Sequence, residues 1–405
     1  MHHSAVKKAA ASVSLREQRE IFSFAEKERV ELAAALSHFG KTLDELIYER
    51  SHEQVWSGGT PRPLEDFRGS QHHIPMVSFF TGCGGIDLGF EAAGFEHVAA
   101  FEFNELFCKT LRKNRPEWKV FGPPTGSGDM SKVSEVIAAL EPIIPINFEG
   151  VFAGGPPCQP FSIASNQRFS KAGKNFKRVG FDHEKNGNLL FDYVSIIKHF
   201  RPACFLIENV PGLRDLDGGE QLSAAIKDLE SAGYEVKSPT VLNAANYSVP
   251  QYRNRLFVVG TRTNRPIIFP TPSEMQYGAG SVLRQNQGKA PNTEIRSHKL
   301  GSVLRYARLD YGQRDQLGRV DRLSPSRPSK TVIAGGTNGG GRSHLHPEIP
   351  RTLSVRECAR LQTFPDDYSF VGSTARQFTQ VGNAVPPVLA AQLGLSLARS
   401  IFGVK

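Results

Sequence analysis

The chain has 405 residues, 49 Lys and Arg against 40 Asp and Glu for a formal net charge of +9, and 39% hydrophobic residues. That supports a sizeable core, in two domains with an added arm, while no run of about 18 apolar residues and no apolar-cored leader after Met1 marks a membrane span or a secretory signal. A cytoplasmic protein with reduced thiols is expected, because Cys83, Cys108, Cys158, Cys204 and Cys358 are scattered without the Cys-x-x-Cys spacing of a disulfide framework or zinc site.

The positive charge is uneven. Residues 261–330 carry 13 Lys and Arg against 5 Asp and Glu, whereas residues 1–70 carry 10 against 11. A solvated basic face would account for such a block, but its concentration in a stretch rich in Arg, Gly, Asn and Gln is the expected footprint of a polyanion-binding module.

In chain order, Ser14-Leu15-Arg16-Glu17 and Thr42-Leu43-Asp44-Glu45 both fit a capping box and Gly40 can end a helix, which predicts helices over about 15–39 and 43–50. Their default role is structural packing, with contact to DNA or a partner as the alternative. Residues 56–73, containing Gly58, Gly59, Pro61 and Pro63, read as a linker. A strand at 75–80 then enters the turn Thr81-Gly82-Cys83-Gly84-Gly85 and a helix, an order that brings bare backbone to a ligand near a helix N-terminus. Asp87 stands where the dinucleotide fingerprint has its third glycine, which disfavours a pyrophosphate. A second strand, 98–101, ends at Glu102-Phe103, an acid placed to bind ribose hydroxyls unless it is a plain surface Glu. Gly128-Asp129-Met130 is a third turn of this kind.

The centre of the chain is Gly154-Gly155-Pro156-Pro157-Cys158-Gln159-Pro160-Phe161-Ser162, which follows the short apolar strand 151–153. Glycines and prolines hold Cys158 at a defined strand end. A free Cys is ordinarily a packing residue. A partly exposed thiol near positive charge can instead ionise, and Arg168, Lys171, Lys174, Lys177 and Arg178 follow, so Cys158 is the candidate nucleophile. The polar loop to about Asp182 is long enough to be functional. After a helix over 188–200, the strand 203–207 ends in Glu208-Asn209-Val210-Pro211, a carboxylate at a strand tip that parallels Cys158; in an open α/β sheet both tips fall on the ligand edge.

Gln251-Tyr252-Arg253-Asn254-Arg255 precedes a strand at 256–260, and alternation puts Arg253 and Arg255 on one face, where two guanidiniums can grip phosphate or carbonyl oxygens or form structural ion pairs. Periodicity then disappears to about Pro350. It returns in a helix at 352–361 and in Gly382-Asn383-Ala384-Val385-Pro386-Pro387, which opens a last apolar helix to about Phe402.

The ordered series Phe80-Thr81-Gly82-Cys83-Gly84-Gly85, Gly155-Pro156-Pro157-Cys158-Gln159, Glu208-Asn209-Val210, Gln251-x-Arg253-x-Arg255, Arg356-Glu357-Cys358-Ala359-Arg360-Leu361 and Gly382-Asn383-Ala384-Val385 resembles the DNA (cytosine-5)-methyltransferase family of bacterial restriction-modification systems. The resemblance covers about residues 75–400. It implies an α/β, Rossmann-like methyltransferase fold with a mixed, mostly parallel sheet, a smaller loop-rich target-recognition domain and an N-terminal helical extension. The implied division is 1–70 for the extension and linker, 71–260 for the first part of the catalytic domain, 261–350 for target recognition and 351–405 for the returning catalytic part.

The resemblance also implies S-adenosylmethionine as cofactor, S-adenosylhomocysteine as product and no metal. Phe80 and Phe103 would lie against adenine, Glu102 on the ribose and Asp129 at the adenine amino group, with Thr81, Gly82, Gly84, Gly85, Met130, Pro157, Leu189, Asn383 and Ala384 completing the pocket. Cys158 and Glu208 would carry the chemistry on cytosine, Arg255 would grip the base carbonyl or adjoining phosphate, and Arg253 would support the site. Gln159, Ser162, Arg168, Lys171 and Lys174 would clamp DNA. Cys83 reads as packing. The implied partners are double-stranded DNA and a companion restriction endonuclease, with the enzyme a monomer away from membranes. Transfer RNA as substrate, or a silent DNA-binding regulator, are the alternatives.

Overall fold

A computed structural model describes residues 12–52, 59–68, 72–157, 189–285, 288–334 and 344–404. Its organising element is a mixed sheet in the order β3-β2-β1-β4-β5-β8-β6, with β7 pairing a second stretch of β8. The strands are β1 (Pro75–Phe79), β2 (Glu96–Phe101), β3 (Val120–Phe121), β4 (Val151–Gly154), β5 (Cys204–Asn209), β6 (Glu235–Val236), β7 (Thr240–Asn243) and β8 (Asn254–Thr261). β1 to β5 are mutually parallel, whereas β8 enters antiparallel beside β5. The central strands are continuous apolar runs because helices cover both faces, as a parallel sheet requires.

One face buries Val77, Phe79, Phe101, Phe152 and Phe205 under the helices Val133–Leu140, Leu189–Phe200 and Glu220–Ser231. The other buries Met76, Ala100, Val151 and Leu206 under Gly85–Ala92, Val355–Leu361 and Pro387–Phe402. Phe79 stacks on Phe101 at 5.4 Å and Phe101 on Phe121 at 4.7 Å, an aromatic row just below the carboxyl edge of the strands.

Helix Pro387–Phe402 comes last in the chain yet lies directly on helix Gly85–Ala92. Two glycines one turn apart permit it: a Cβ on Gly85 would stand 2.2 Å from the Val385 carbonyl oxygen, and one on Gly89 would stand 2.4 Å from Ala390 Cβ and 2.5 Å from the Pro387 oxygen. Gly89→Ala is therefore expected to lower unfolding free energy by about 1–3 kcal/mol through overpacking against backbone, seen as a lower urea midpoint at unchanged slope. Thr374–Phe402 is the one stretch among the described residues long and apolar enough to span a membrane, and 78% of its apolar window is buried inside the protein.

Three expectations change. The first helix is two, Leu15–Lys27 and Leu32–His38, broken at Arg29 with φ 54°, and the segment after Thr42 makes only the short turn Leu43–Glu45. The break falls where apolar spacing lapses into Glu26-Lys27-Glu28-Arg29, which lets Ile21, Phe22 and Ala25 fold back on Leu32, Ala35 and Leu36. Within the expected linker, Leu64 and Phe67 are buried in the main core.

The basic block is also less free than its charge count suggests. Residues 261–334 and 344–350 form short helices, Gly280–Leu283 and Leu300–Ala307, and a small sheet of β9 (Arg314–Asp315), β10 (Val320–Arg322) and β11 (His344–Leu345). Arg305 pairs with Asp315 at 3.1 Å, Arg314 and Lys330 with Asp321 at 2.8 and 2.7 Å, Arg284 with Glu348 at 2.6 Å and Arg262 with Glu149 at 2.7 Å. Part of the surplus holds a loop-rich fold together, while Arg265, Lys289, Lys299, Arg308, Arg319 and Arg327 are exposed to solvent.

Candidate active site

Register carries the site residues to one edge. Phe121, Phe101, Phe79, Gly154 and Ile207 lie in a row across five strands, so the residues that follow them, Gly122, Glu102, Phe80, Gly155 and Glu208, all emerge at the carboxyl ends. This is where ligands bind in open α/β sheets.

On the β1–β3 side the edge forms a polar cradle. Glu102 is 8% exposed and accepts the backbone N–H groups of Gly82 and Asn104, each at 2.7 Å. Burial pushes its carboxyl up to about 7, against the lowering effect of those two N–H groups. Gly82 and Gly84 take φ values of 60° and 82°, which a side chain would strain, and Gly84 begins the helix that Gly85 continues. Phe80 adopts φ 54° at the strand end and meets Tyr193 edge-on at 6.1 Å. Phe103 is 67% exposed beside Glu102, an aromatic face without a protein cover.

Asp129 is brought to the same cradle by Gly128, where a Cβ would stand 2.0 Å from the Glu102 carbonyl oxygen. Its carboxylate accepts from Ser131 N and Oγ at 3.0 and 2.7 Å. Thr81 turns inward, its hydroxyl bonding Ser78 Oγ at 2.8 Å and the Phe101 carbonyl at 3.2 Å. Met130 and Leu189 are buried in the core beneath, Ala384 is buried against Gly85, and Asn383 is exposed at the end of its helix.

The β4–β5 side is the second half of the site. Arg255 Nε lies 2.9 Å from Glu208 Oε1, with both side chains 13% exposed. Burial raises the Glu208 carboxyl, and the charges of Arg255 and Arg253 only partly oppose it. A Cβ on Gly155 would stand 2.8 Å from Glu208 Oε2, and Asn209 Nδ2 donates to the Pro156 carbonyl at 3.0 Å. The turn that runs through Pro157 is thereby fastened to the tip of β5. Cys158, Gln159, Ser162, Arg168, Lys171 and Lys174 lie outside the described residues.

Arg253 does something different from Arg255. It is 1% exposed and donates to the Val332 carbonyl at 3.0 Å and the Gly382 carbonyl at 2.8 Å. It therefore ties three distant segments together behind the edge, and its contacts are to backbone. Cys83 is buried, donates to the Gln380 carbonyl at 3.3 Å and has its thiol pushed far up by burial, which makes it inert packing.

A family model for C-5 cytosine-specific DNA methylases matches residues 74–399. The chain belongs to that family. It is 33% identical over 368 residues to a Neisseria gonorrhoeae protein named Type II methyltransferase M.NgoFVII, covering 85% of this chain and 90% of that one. It is 32% identical over 354 residues to the Psychrobacter sp. Type II methyltransferase M.PspPI, covering 80% and 79%. Among solved structures, the Entamoeba histolytica methyltransferase EhMeth superposes with a TM-score of 0.58 at 17% identity, covering 81% of this chain and 98% of that one, a likeness of fold. The protein is thus a DNA (cytosine-5-)-methyltransferase with the Rossmann-like methyltransferase fold.

Sequence reasoning passed over Asn104 and Asp192 near the edge of the folded methylase, and it gave no separate role to Gln251 behind it. Asn104 supplies the second N–H to Glu102. Gln251 is completely buried, accepts from Val332 N at 2.8 Å and donates to Gln362 Oε1 at 2.8 Å and the Leu361 carbonyl at 3.2 Å. Asp192, in the first turn of helix Leu189–Phe200, has its carboxyl pushed up to about 6 by burial first and by the charge of Asp129 second. Only its place at a helix start on the ligand edge could have drawn attention to it.

Proposed function

We propose that this protein transfers a methyl group from S-adenosylmethionine to C5 of a cytosine flipped out of a specific double-stranded DNA sequence, through a covalent Cys158–C6 adduct, and that it protects DNA from a companion restriction endonuclease. The observation that carries the reading is the buried Glu208–Arg255 pair at 2.9 Å, fastened through Asn209 to Pro156, two residues before Cys158. The relatives named Type II methyltransferases support the restriction-modification setting.

The cradle fits the cofactor. The Glu102 carboxylate suits a ribose diol, the exposed ring of Phe103 with Phe80 an adenine face, and Asp129 an exocyclic amine, with Gly82, Gly84 and Gly85 allowing close backbone approach. Bound there, the cofactor supplies an electrophilic methyl group. Cytosine C5 is too weak a nucleophile to take it unaided. Cys158 thiolate adds to C6 while the proton held on Glu208 passes to N3, so that the electron pair of the ring collects at C5 as in an enamine. Arg255 holds Glu208 and neutralises charge that develops on the ring. After transfer, loss of the C5 proton to solvent, expulsion of the thiolate from C6 and return of the N3 proton to Glu208 restore the ring and the acid. The target base must leave the stack, at roughly a few kcal/mol.

Residues 261–350 are assigned to target recognition and 351–405 to the returning catalytic part. The decisive experiment expresses the gene with a plasmid in a host lacking cytosine methylation and digests the plasmid to nucleosides for mass spectrometry. 5-Methylcytosine is expected, and its absence would refute the reading.

Glu102 adds a pH dependence. Its carboxylate accepts ribose hydroxyls best when ionised, so cofactor affinity is expected to rise between about pH 6 and 8, as the group with its proton held to about 7 titrates. Calorimetric titration of Glu102→Gln should show weaker binding without that rise. In the free protein the sign is opposite, because a raised acid contributes stability at low pH that is lost as pH climbs through 7.

A further inference from the structure

The N-terminal segment, whose role the sequence leaves open, is built into the block assigned above to target recognition. The apolar face of its two helices, including Ile21, Phe22, Ala25, Leu32, Ala35 and Leu36, closes over Val303, with Leu300 and Leu304 packed against the same cluster. Gln18 is buried and its amide both donates to Ile47 O at 3.0 Å and accepts from Ile47 N at 2.8 Å, which pins the descending strand of chain to the first helix.

That descending stretch then makes two polar joints. At the first, the fully buried Arg322 of β10 lies between two rings, 3.4 Å from the centroid of Tyr48 and 4.0 Å from that of Tyr311. The same guanidinium donates to the Arg50 carbonyl at 2.6 Å and to Ser51 Oγ at 2.8 Å, and Tyr48 donates its hydroxyl to the His346 carbonyl at 2.8 Å. At the second, Arg351 donates to Asp44 at 2.5 Å and, with two nitrogens, to both oxygens of Glu357 at 2.9 Å. Burial pushes the Glu357 carboxyl up, but Arg351 more than offsets this and holds it ionised, at about 2.

The second joint leads to the catalytic edge. Glu357 accepts from Ser354 N at 2.7 Å and so caps the helix Val355–Leu361. The far end of that helix is gripped by Gln251, which also takes Val332 N. Val332 is in turn held by Arg253, two residues from Arg255. Buried, hydrogen-bonded groups of this kind have one low-energy arrangement, because each unmade bond would leave a desolvated partner.

We infer that residues 12–52 are a structural part of the target-recognition lobe, with Asp44 and Tyr48 acting as positioning residues that set this lobe against the catalytic edge. The inference rests on the reading of residues 261–350 as the DNA-recognition region. The segment has no basic surplus of its own, 6 Lys and Arg against 8 Asp and Glu in residues 12–52, which fits a scaffold and not a second polyanion site.

The test uses the full chain carrying Tyr48→Leu or, with less risk to folding because its carboxylate is half exposed, Asp44→Ala. Initial rates of labelled methyl incorporation into plasmid DNA are measured together with cofactor affinity. For both variants KM for DNA should rise roughly tenfold, with kcat within about twofold of the unaltered protein and cofactor affinity unchanged, and Asp44→Glu should recover most of the loss. A KM for DNA unchanged in Asp44→Ala, or a fall in cofactor affinity equal to the fall in DNA affinity, would overturn the inference while leaving the DNA reading intact. An unaltered protein that methylates no DNA would overturn both.

Discussion

Cys158→Ala is expected to abolish methyl transfer, by about 10⁴-fold or more, while cofactor affinity stays unchanged. The size follows from the chemistry: without addition at C6 there is no route by which C5 becomes electron-rich, and no other described cysteine can substitute. Cys83, Cys108, Cys204 and Cys358 are all buried, and burial raises every one of their thiols, Cys108 to about 12. The cradle for the cofactor stands on β1 to β3, on the other side of the sheet's centre from the tip of β5, so it should survive the substitution. Nucleoside analysis of plasmid DNA and calorimetry of cofactor binding read the two halves separately. Residual 5-methylcytosine from the alanine protein would remove Cys158 as nucleophile.

The second large effect is expected at Glu208. Glu208→Gln keeps the shape and can still lie against Arg255, but it cannot deliver a proton to N3, so kcat should fall by about 10²–10⁴-fold. The pH profile separates this role from simple packing. Because burial raises the Glu208 carboxyl above its ordinary range, the protonated form persists upward in pH and is lost as pH rises through the shifted value. Activity of the unaltered enzyme should fall along that alkaline limb, and the Gln enzyme should lack the limb. Its stability contribution has the same sign, present at low pH and lost with rising pH. Identical pH profiles for the two proteins would assign Glu208 to positioning alone.

The local parts of this molecule were legible in the chain. Glycine turns after apolar strands, a carboxylate at each of two strand tips and a rigid Gly-Pro-Pro turn each follow from backbone preferences that act within a few residues. The family followed from the order of those parts. The caps were legible too, with Ser14 accepting from Glu17 N at 3.2 Å and Glu45 from Thr42 N at 2.7 Å, the second closing into a reciprocal box, although the helices behind them came out shorter. A cap marks where a helix begins. It carries no information on where the apolar face runs out, and here that happens at Glu26–Arg29.

What the sequence by itself determined is the set of edge residues: strands of fixed period end where Phe80, Glu102 and Glu208 stand, and no tertiary contact is needed to say so. What only the tertiary structure decided is how distant segments share partners. Arg253 and Arg255, two positions apart, look equivalent in sequence, yet Arg255 binds Glu208 and Arg253 clasps the backbone at Val332 and Gly382. The basic block reads as free charge until its arginines meet Asp315, Asp321 and Glu348, and the N-terminal helices read as an appendage until Tyr48 and Asp44 meet Arg322 and Arg351. Such pairings join residues up to about 300 positions apart, where local propensity has no influence and shape and charge complementarity between folded pieces select the partner.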